Sequence, residues 1–187
     1  MIRLRDLNWA NAVTIIRVIL IPVVAVCYYS EVPASNFWAA LLFAIASISD
    51  WLDGYLARKL DLASDFGAFL DPIADKLLVV VVLIMLVAAH SSLLIATIVL
   101  ISREILISGL REWMSTKGRR DLVTVGFSGK LKTTIQMIAI VALLLGDIDR
   151  PQWLWQLGLF GIYLAALISV YSMVIYFKNA WKTLQGP

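Results

Sequence analysis

Residues 49–76 read SDWLDGYLARKLDLASDFGAFLDPIADK and hold six aspartates, Asp50, Asp53, Asp61, Asp65, Asp71 and Asp75. Apolar stretches flank them on both sides. Of the 187 residues, 61% are hydrophobic and 16% are charged, where soluble domains sit near 45–50% apolar and about 25% charged. The composition is that of an integral membrane protein, so these carboxylates interrupt a chain built for lipid.

Working outward, a membrane span needs roughly 20 mostly apolar residues. Six stretches approach that, at about 12–30, 36–57, 72–89, 92–110, 130–146 and 153–177. The expected fold is therefore all-α, with six transmembrane helices. No internal repeat, low-complexity tract or dividing linker occurs, so one domain is expected over 1–187. The basic start MIRLRDLNWAN leads into an apolar stretch that contains Arg17 and no small-residue cleavage site, unlike a signal peptide. The lone Cys27 has no partner for an intrachain disulfide and is expected to be a small apolar side chain in a helix.

With an inside N-terminus, six spans place Arg3, Arg5, Arg58, Lys59, Arg111, Lys117, Arg119, Arg120, Lys130, Lys132, Lys178 and Lys182 on the inner side. The outer loops receive only Arg150, while Arg17, Lys76 and Arg103 lie in or just inside spans. Both termini and the aspartate segment are then cytosolic. Trp38, Trp153 and Trp155 near the outer ends, with Tyr176 and Trp181 near the inner end, fit interfacial anchors. His90 falls at an outer turn.

Asp50, Asp53, Gly54 and Ala57 stand at i, i+3, i+4 and i+7, within about 100° of one helix face. Asp71 and Asp75 are i and i+4 on the next helix, and a short antiparallel connection lets the two faces meet. Ionisable groups in a membrane cost at least about 2.5 kcal/mol each and mark pathways or sites. Divalent cations are the simplest compensation, because all-oxygen ligation suits hard ions. Four carboxylates could hold a pair of them, an arrangement that clamps a phosphoryl centre. Gly54 and Ala57 leave room beside such ions, and Arg58 can answer phosphate charge. A plainer reading also stands: Asp71 before Pro72 could be a helix N-cap, and Asp61 and Asp65 could be loop carboxylates.

The pattern Asp50-x2-Asp53-Gly54-x2-Ala57-Arg58-x8-Gly67-x3-Asp71-x3-Asp75 resembles the complete signature of the CDP-alcohol phosphatidyltransferases. The resemblance implies a six-helix membrane bundle, a homodimer, an active site facing the cytosol and two divalent ions, Mg²⁺ or Mn²⁺. It implies that Asp50, Asp53 and Asp71 are metal ligands, and that Asp75 is both a ligand and the general base. Gly54, Ala57, Arg58 and Gly67 would shape the site for the CDP-linked donor, with Ser64 a donor to the diphosphate. The run Asn11-x2-Thr14-x2-Arg17-x4-Pro22 is similar to the family's N-terminal stretch bordering the nucleotide, which brings in Asn11 and Thr14; Ala10 stands where members often carry proline.

The acceptor is read from a second stretch. Arg103 and Arg111 are eight residues apart, about 80° around a helix, and Lys130 and Lys132 begin the next helix. Arg103 lies so far along an apolar span that it needs a partner; Glu104, adjacent in sequence, points about 100° away. A basic cluster from two helices suits a phosphate monoester. Lys117, Arg119 and Arg120 also fit residues lying on lipid headgroups. The R-E-I-x-I-S-x-L-R-E-x-M run from Arg103 to Met114, and G-K-x-K-T-x-x-Q from Gly129 to Gln136, are similar to family members that use sn-glycerol 3-phosphate. That implies CDP-diacylglycerol as donor and a glycerol-3-phosphate site at Arg103, Arg111 and Lys132. Gln136 and Thr133–Thr134 are open between lining that cavity and bonding neighbouring helices.

The expected setting is a bacterial inner membrane, with the bilayer and the two substrates as partners and no nucleic acid. Inositol, inositol phosphate or serine acceptors share the aspartate pattern. A divalent-cation transporter would need acidic residues through to the far side, and the outer halves of the third, fifth and sixth spans carry none. An isoprenoid diphosphate enzyme would need a DDxxD-like run, which is absent.

Overall fold

A computed structural model describes residues 9–60, 65–119, 127–146 and 152–184, with side chains from residue 15 onward except 50–60, 65–72, 75, 127–128, 130 and 182–184. Ser64, Asp61, Arg119's neighbour Arg120 and the outer Arg150 therefore lie outside the described residues. The described residues form six α-helices and no strand: α1 (Trp9–Tyr28), α2 (Ser35–Leu60), α3 (Asp65–Ala89), α4 (Leu94–Thr116), α5 (Phe127–Leu145) and α6 (Gln152–Leu184). A short 3₁₀ turn, Ser91–Leu93, leads into α4.

The all-helical reading is correct, and several helices outrun their apolar stretches. α3 begins at Asp65, so Asp71 and Pro72 fall well inside it. That removes the N-cap reading of Asp71 and makes Asp65 the first helical residue. α5 starts at Phe127, so its polar first turn is helical as well. Two segments are long and apolar enough to cross a membrane, Ser91–Thr116 and Gln152–Trp181. Shorter apolar runs are Ile15–Tyr28, Ser35–Ser49, Lys76–Ala89 and Leu131–Leu145.

The core is formed by Val24 of α1, Phe43 of α2, Leu78, Val82 and Leu86 of α3, Leu100 of α4, Ile140 and Leu143 of α5 and Ile162 of α6. Outside it, large apolar side chains face outward on every helix, with Val26 71%, Ile105 68% and Phe160 70% exposed. Contiguous exposed apolar surface of this kind is uncommon on a soluble monomer and natural against hydrocarbon.

The helices do not pack evenly. α5 and α6 make the most extensive pairing; α1 packs on both α2 and α3; α4 lies on α6. Small residues let α5 and α6 approach closely, the usual device where lipid supplies no hydrophobic drive between helices. A Cβ on Gly161 would sit 2.9 Å from Ala139 Cβ, and one on Gly146 would sit 2.8 Å from the backbone nitrogen of Trp155. Among the described residues α2 and α3 touch each other only sparingly, and α3 packs loosely on α4 and α5. That loose packing leaves a cavity.

Candidate active site

The signature residues occupy two consecutive helices. Asp50, Asp53, Gly54, Ala57 and Arg58 lie in the last turns of α2, and Gly67, Asp71 and Asp75 in the first turns of α3. Only residues 61–64 join them. The helical register puts Asp50 and Asp53 on one face of α2, and Asp71 and Asp75 on one face of α3. Asn11 and Thr14 lie at the start of α1, the helix packed against both. A donor set of four carboxylates at i, i+3 and i, i+4 on adjoining helices suits hard divalent cations. Both pairs fall within continuous helix, which supplies that spacing.

The side chains of Arg103, Arg111 and Lys132 are described. Arg103 on α4 and Lys132 on α5 are buried, at 6% and 4% exposure. Both donate to the same atom: Arg103 Nη1 lies 2.9 Å from Glu104 Oε2, and Lys132 Nζ lies 3.1 Å from it. Arg103 Nη2 reaches Ser172 Oγ on α6 at 3.4 Å, and Ser172 donates to the Ser169 carbonyl at 3.0 Å. The buried Arg103 Nε has no hydrogen-bond partner among the described residues. This guanidinium is held but not saturated.

Glu104 is the feature that helical-wheel reasoning misjudged. Its Cβ does point about 100° from that of Arg103, yet both side chains are long enough to bend together where Lys132 approaches from α5. The pairing of neighbours on one helix is set by a cation on another.

Arg111, two turns beyond Arg103, stacks its guanidinium on the ring of Tyr176 with 5.5 Å to the centroid. Tyr176 is itself buried, in a cluster with Ile107, Leu110, Met114 and Ala180. It is a packing residue between α4 and α6, which corrects the expectation of an interfacial anchor. Trp38, Trp153 and Trp181 are exposed as anchors would be. Trp155 instead lies against His90, ring centroids 4.3 Å apart, so His90 closes the turn before α4 onto α6.

A cavity of about 100 Å³ lies where α3, α4 and α5 pack loosely. Its polar lining is Lys76, Glu104, Lys132, Thr133 and Gln136, and its apolar lining includes Leu83 and Leu100. Gln136 and Thr133 thus line the cavity. Lys76 also donates to Ser108 Oγ on α4. The sequence signal for Lys76 was its place at the edge of a span, and Ser108 is the serine of the run from Arg103 to Met114; nothing local marked Ser172. Arg103 and Arg111 do not line the cavity; Glu104, which does, accepts a hydrogen bond from Arg103.

The chain is similar to known proteins along most of its length. The model of the CDP-alcohol phosphatidyltransferases matches residues 7–177. A protein of Wigglesworthia glossinidia brevipalpis named CDP-diacylglycerol–glycerol-3-phosphate 3-phosphatidyltransferase is 39% identical over 180 residues, covering 95% of this chain and 97% of its own. Proteins of the same name from Shigella flexneri serotype 5b and Escherichia coli K12 are each 41% identical over 176 residues, covering 92% of this chain and 94% of theirs. With the family model spanning most of the chain and the full aspartate signature on α2 and α3, this protein belongs to the CDP-alcohol phosphatidyltransferase family.

Proposed function

We propose that the protein transfers the phosphatidyl group of CDP-diacylglycerol to sn-glycerol 3-phosphate, giving phosphatidylglycerol phosphate and CMP. The observation that carries this is the pair of buried cations, Arg103 and Lys132, drawn together from α4 and α5 beside a cavity that Lys132 itself lines. A phosphate monoester is the acceptor group such a pair fits, and the relatives' names carry the same acceptor.

In this reading Asp50, Asp53, Asp71 and Asp75 hold two divalent ions, Mg²⁺ or Mn²⁺, which supply positive charge against the diphosphate. Asn11, Thr14, Gly54, Ala57, Arg58, Ser64 and Gly67 border the nucleotide and leave room for it. Asp75 takes the proton from the C1 hydroxyl of glycerol 3-phosphate, a role typically worth about 10²–10⁴-fold. The alkoxide forms a bond to the lipid-proximal phosphorus as the bond from that phosphorus to the CMP oxygen breaks, and CMP leaves carrying the electron pair. Arg103, Arg111 and Lys132 hold the acceptor's phosphate.

The same reading makes 1–187 one six-span domain with cytosolic termini and active site, in a bacterial inner membrane, acting as a homodimer. Two segments long and apolar enough to cross, and an apolar run in each of the other four helices, support six spans. The outward apolar side chains support a bilayer around them.

The test is CMP release by purified protein in detergent with CDP-diacylglycerol and Mg²⁺, across a panel of acceptors. Turnover with glycerol 3-phosphate is expected. Turnover only with inositol, inositol phosphate or serine would keep the aspartate chemistry and discard the acceptor. No CMP from folded protein with any acceptor would discard both.

A further inference from the structure

We propose that Glu104 is a built-in stand-in for the acceptor's phosphate: its carboxylate holds Arg103 and Lys132 while the site is empty and gives them up when a phosphate monoester enters. This rests on the reading of that site as the glycerol-3-phosphate site, and it makes Glu104 a positioning residue that sets phosphate affinity.

Three observations carry it. First, a single carboxylate oxygen accepts from both the guanidinium and the ammonium, at 2.9 and 3.1 Å, which is the contact one phosphate oxygen would make. Second, Glu104 and Lys132 line the cavity whereas Arg103 does not. An anion in the cavity reaches Arg103 only once Glu104 moves. Third, the displaced carboxylate has somewhere to go. Its side chain is 33% exposed, and Lys76 of α3 lines the same cavity, bonded to Ser108 one helical turn along α4 from Glu104.

Two cations buried in an apolar helix pair need a counter-charge when no substrate is present. The same charge opposes an arriving dianion and helps a phosphorylated lipid product to leave. The exchange is one of ion pairs, with no covalent change. Affinity for the phosphate is thereby lowered in favour of turnover.

The experiment compares wild type, Glu104→Gln and Glu104→Asp by CMP release with Mg²⁺. Gln keeps the size and an accepting oxygen but removes the charge. The Michaelis constant for glycerol 3-phosphate should fall about tenfold, equivalent to about 1.4 kcal/mol, and inorganic sulfate should inhibit more tightly in parallel. The constant for CDP-diacylglycerol should not move. Asp retains the charge on a shorter side chain, so its Michaelis constant should fall by less than that of Gln. An unchanged or raised constant in Glu104→Gln overturns the proposal, as does equal behaviour of the Gln and Asp variants.

A second arm reads stability. Sulfate should raise the unfolding midpoint of Glu104→Gln more than that of wild type, because the ion takes the carboxylate's place. If the variant cannot be obtained folded even in sulfate, the proposal fails. Absence of wild-type turnover with glycerol 3-phosphate would instead remove the acceptor assignment, and the sulfate arm would still decide what Glu104 does.

Discussion

Replacing Gly158 by alanine tests the contact that fixes α5 against α6, and with it the separation of Lys132 from the Arg103–Ser172 pair. A Cβ at Gly158 would lie 2.7 Å from Leu143 Cγ and 2.9 Å from the Leu143 backbone nitrogen. Comfortable carbon contacts are about 3.5–4.0 Å, so something must shift by most of an ångström. Leu143 is fully buried and the nitrogen is main chain, so neither can step aside and the helices must part. Overpacking of this kind costs about 1–3 kcal/mol, while alanine in place of glycine in a helix returns about 0.5–1 kcal/mol. Gly109 of α4 isolates the second effect, since a Cβ there meets nothing within 4 Å. Gly158→Ala should therefore unfold below Gly109→Ala by the overpacking cost alone. At about 2–4 °C per kcal/mol for a chain of this size, the gap is roughly 2–12 °C in detergent at a fixed scan rate. Equal midpoints, or a higher one for Gly158→Ala, would falsify the close α5–α6 contact.

Asp75→Asn should lower CMP release by about 10²–10⁴-fold or more, the range for a lost general base, without lowering the unfolding midpoint; retained turnover would exclude Asp75 from proton transfer. Arg103→Ala should raise the Michaelis constant for glycerol 3-phosphate by roughly 10–150-fold, the equivalent of a charge-assisted bond of about 1.5–3 kcal/mol, with Lys restoring only part because it lacks the guanidinium fork. A matching rise for CDP-diacylglycerol would instead point to general damage. Tyr176→Leu keeps bulk but removes the ring beneath Arg111, an interaction worth about 0.5–2 kcal/mol; a rise in the same constant of about 2–30-fold is expected, and none at all would take Arg111 out of the acceptor site. Chelation of divalent ions should stop CMP release and Mg²⁺ or Mn²⁺ should restore it, while full activity in excess chelator would refute metal binding by the four aspartates.

What the sequence made legible was whatever a single helix decides. The spacing of Asp50 and Asp53, and of Asp71 and Asp75, needs only a helical register, and α2 and α3 supply it. The N-terminal ends of α3 and α5 were less legible, because both helices continue through polar turns that hydropathy scores as loops. Tyr176 shows the harder limit. An aromatic near the inner end of a span looks the same in sequence whether it faces headgroups or α4, and only the packing of α4 on α6 decides that it lies under Arg111.

Glu104 carries the same point into function. Next to Arg103 in sequence, it is about a quarter-turn away on the helical wheel, and by that measure is no partner for it. Lys132 alters the outcome from 28 residues further along the chain, because two buried cations make a shared carboxylate worth the bend in both side chains. Once the carboxylate is shared, Arg103 is no longer simply a phosphate ligand waiting in an empty site. Its guanidinium already has an anion, and acceptor binding becomes a competition between that anion and the phosphate. A site of this kind is tuned by the residue that blocks it as much as by the residues that bind, so Arg103→Ala and Glu104→Gln should move the acceptor's Michaelis constant in opposite directions. Movement in the same direction would mean that the three side chains act as one structural unit rather than as a pair of ligands and their counter-ion.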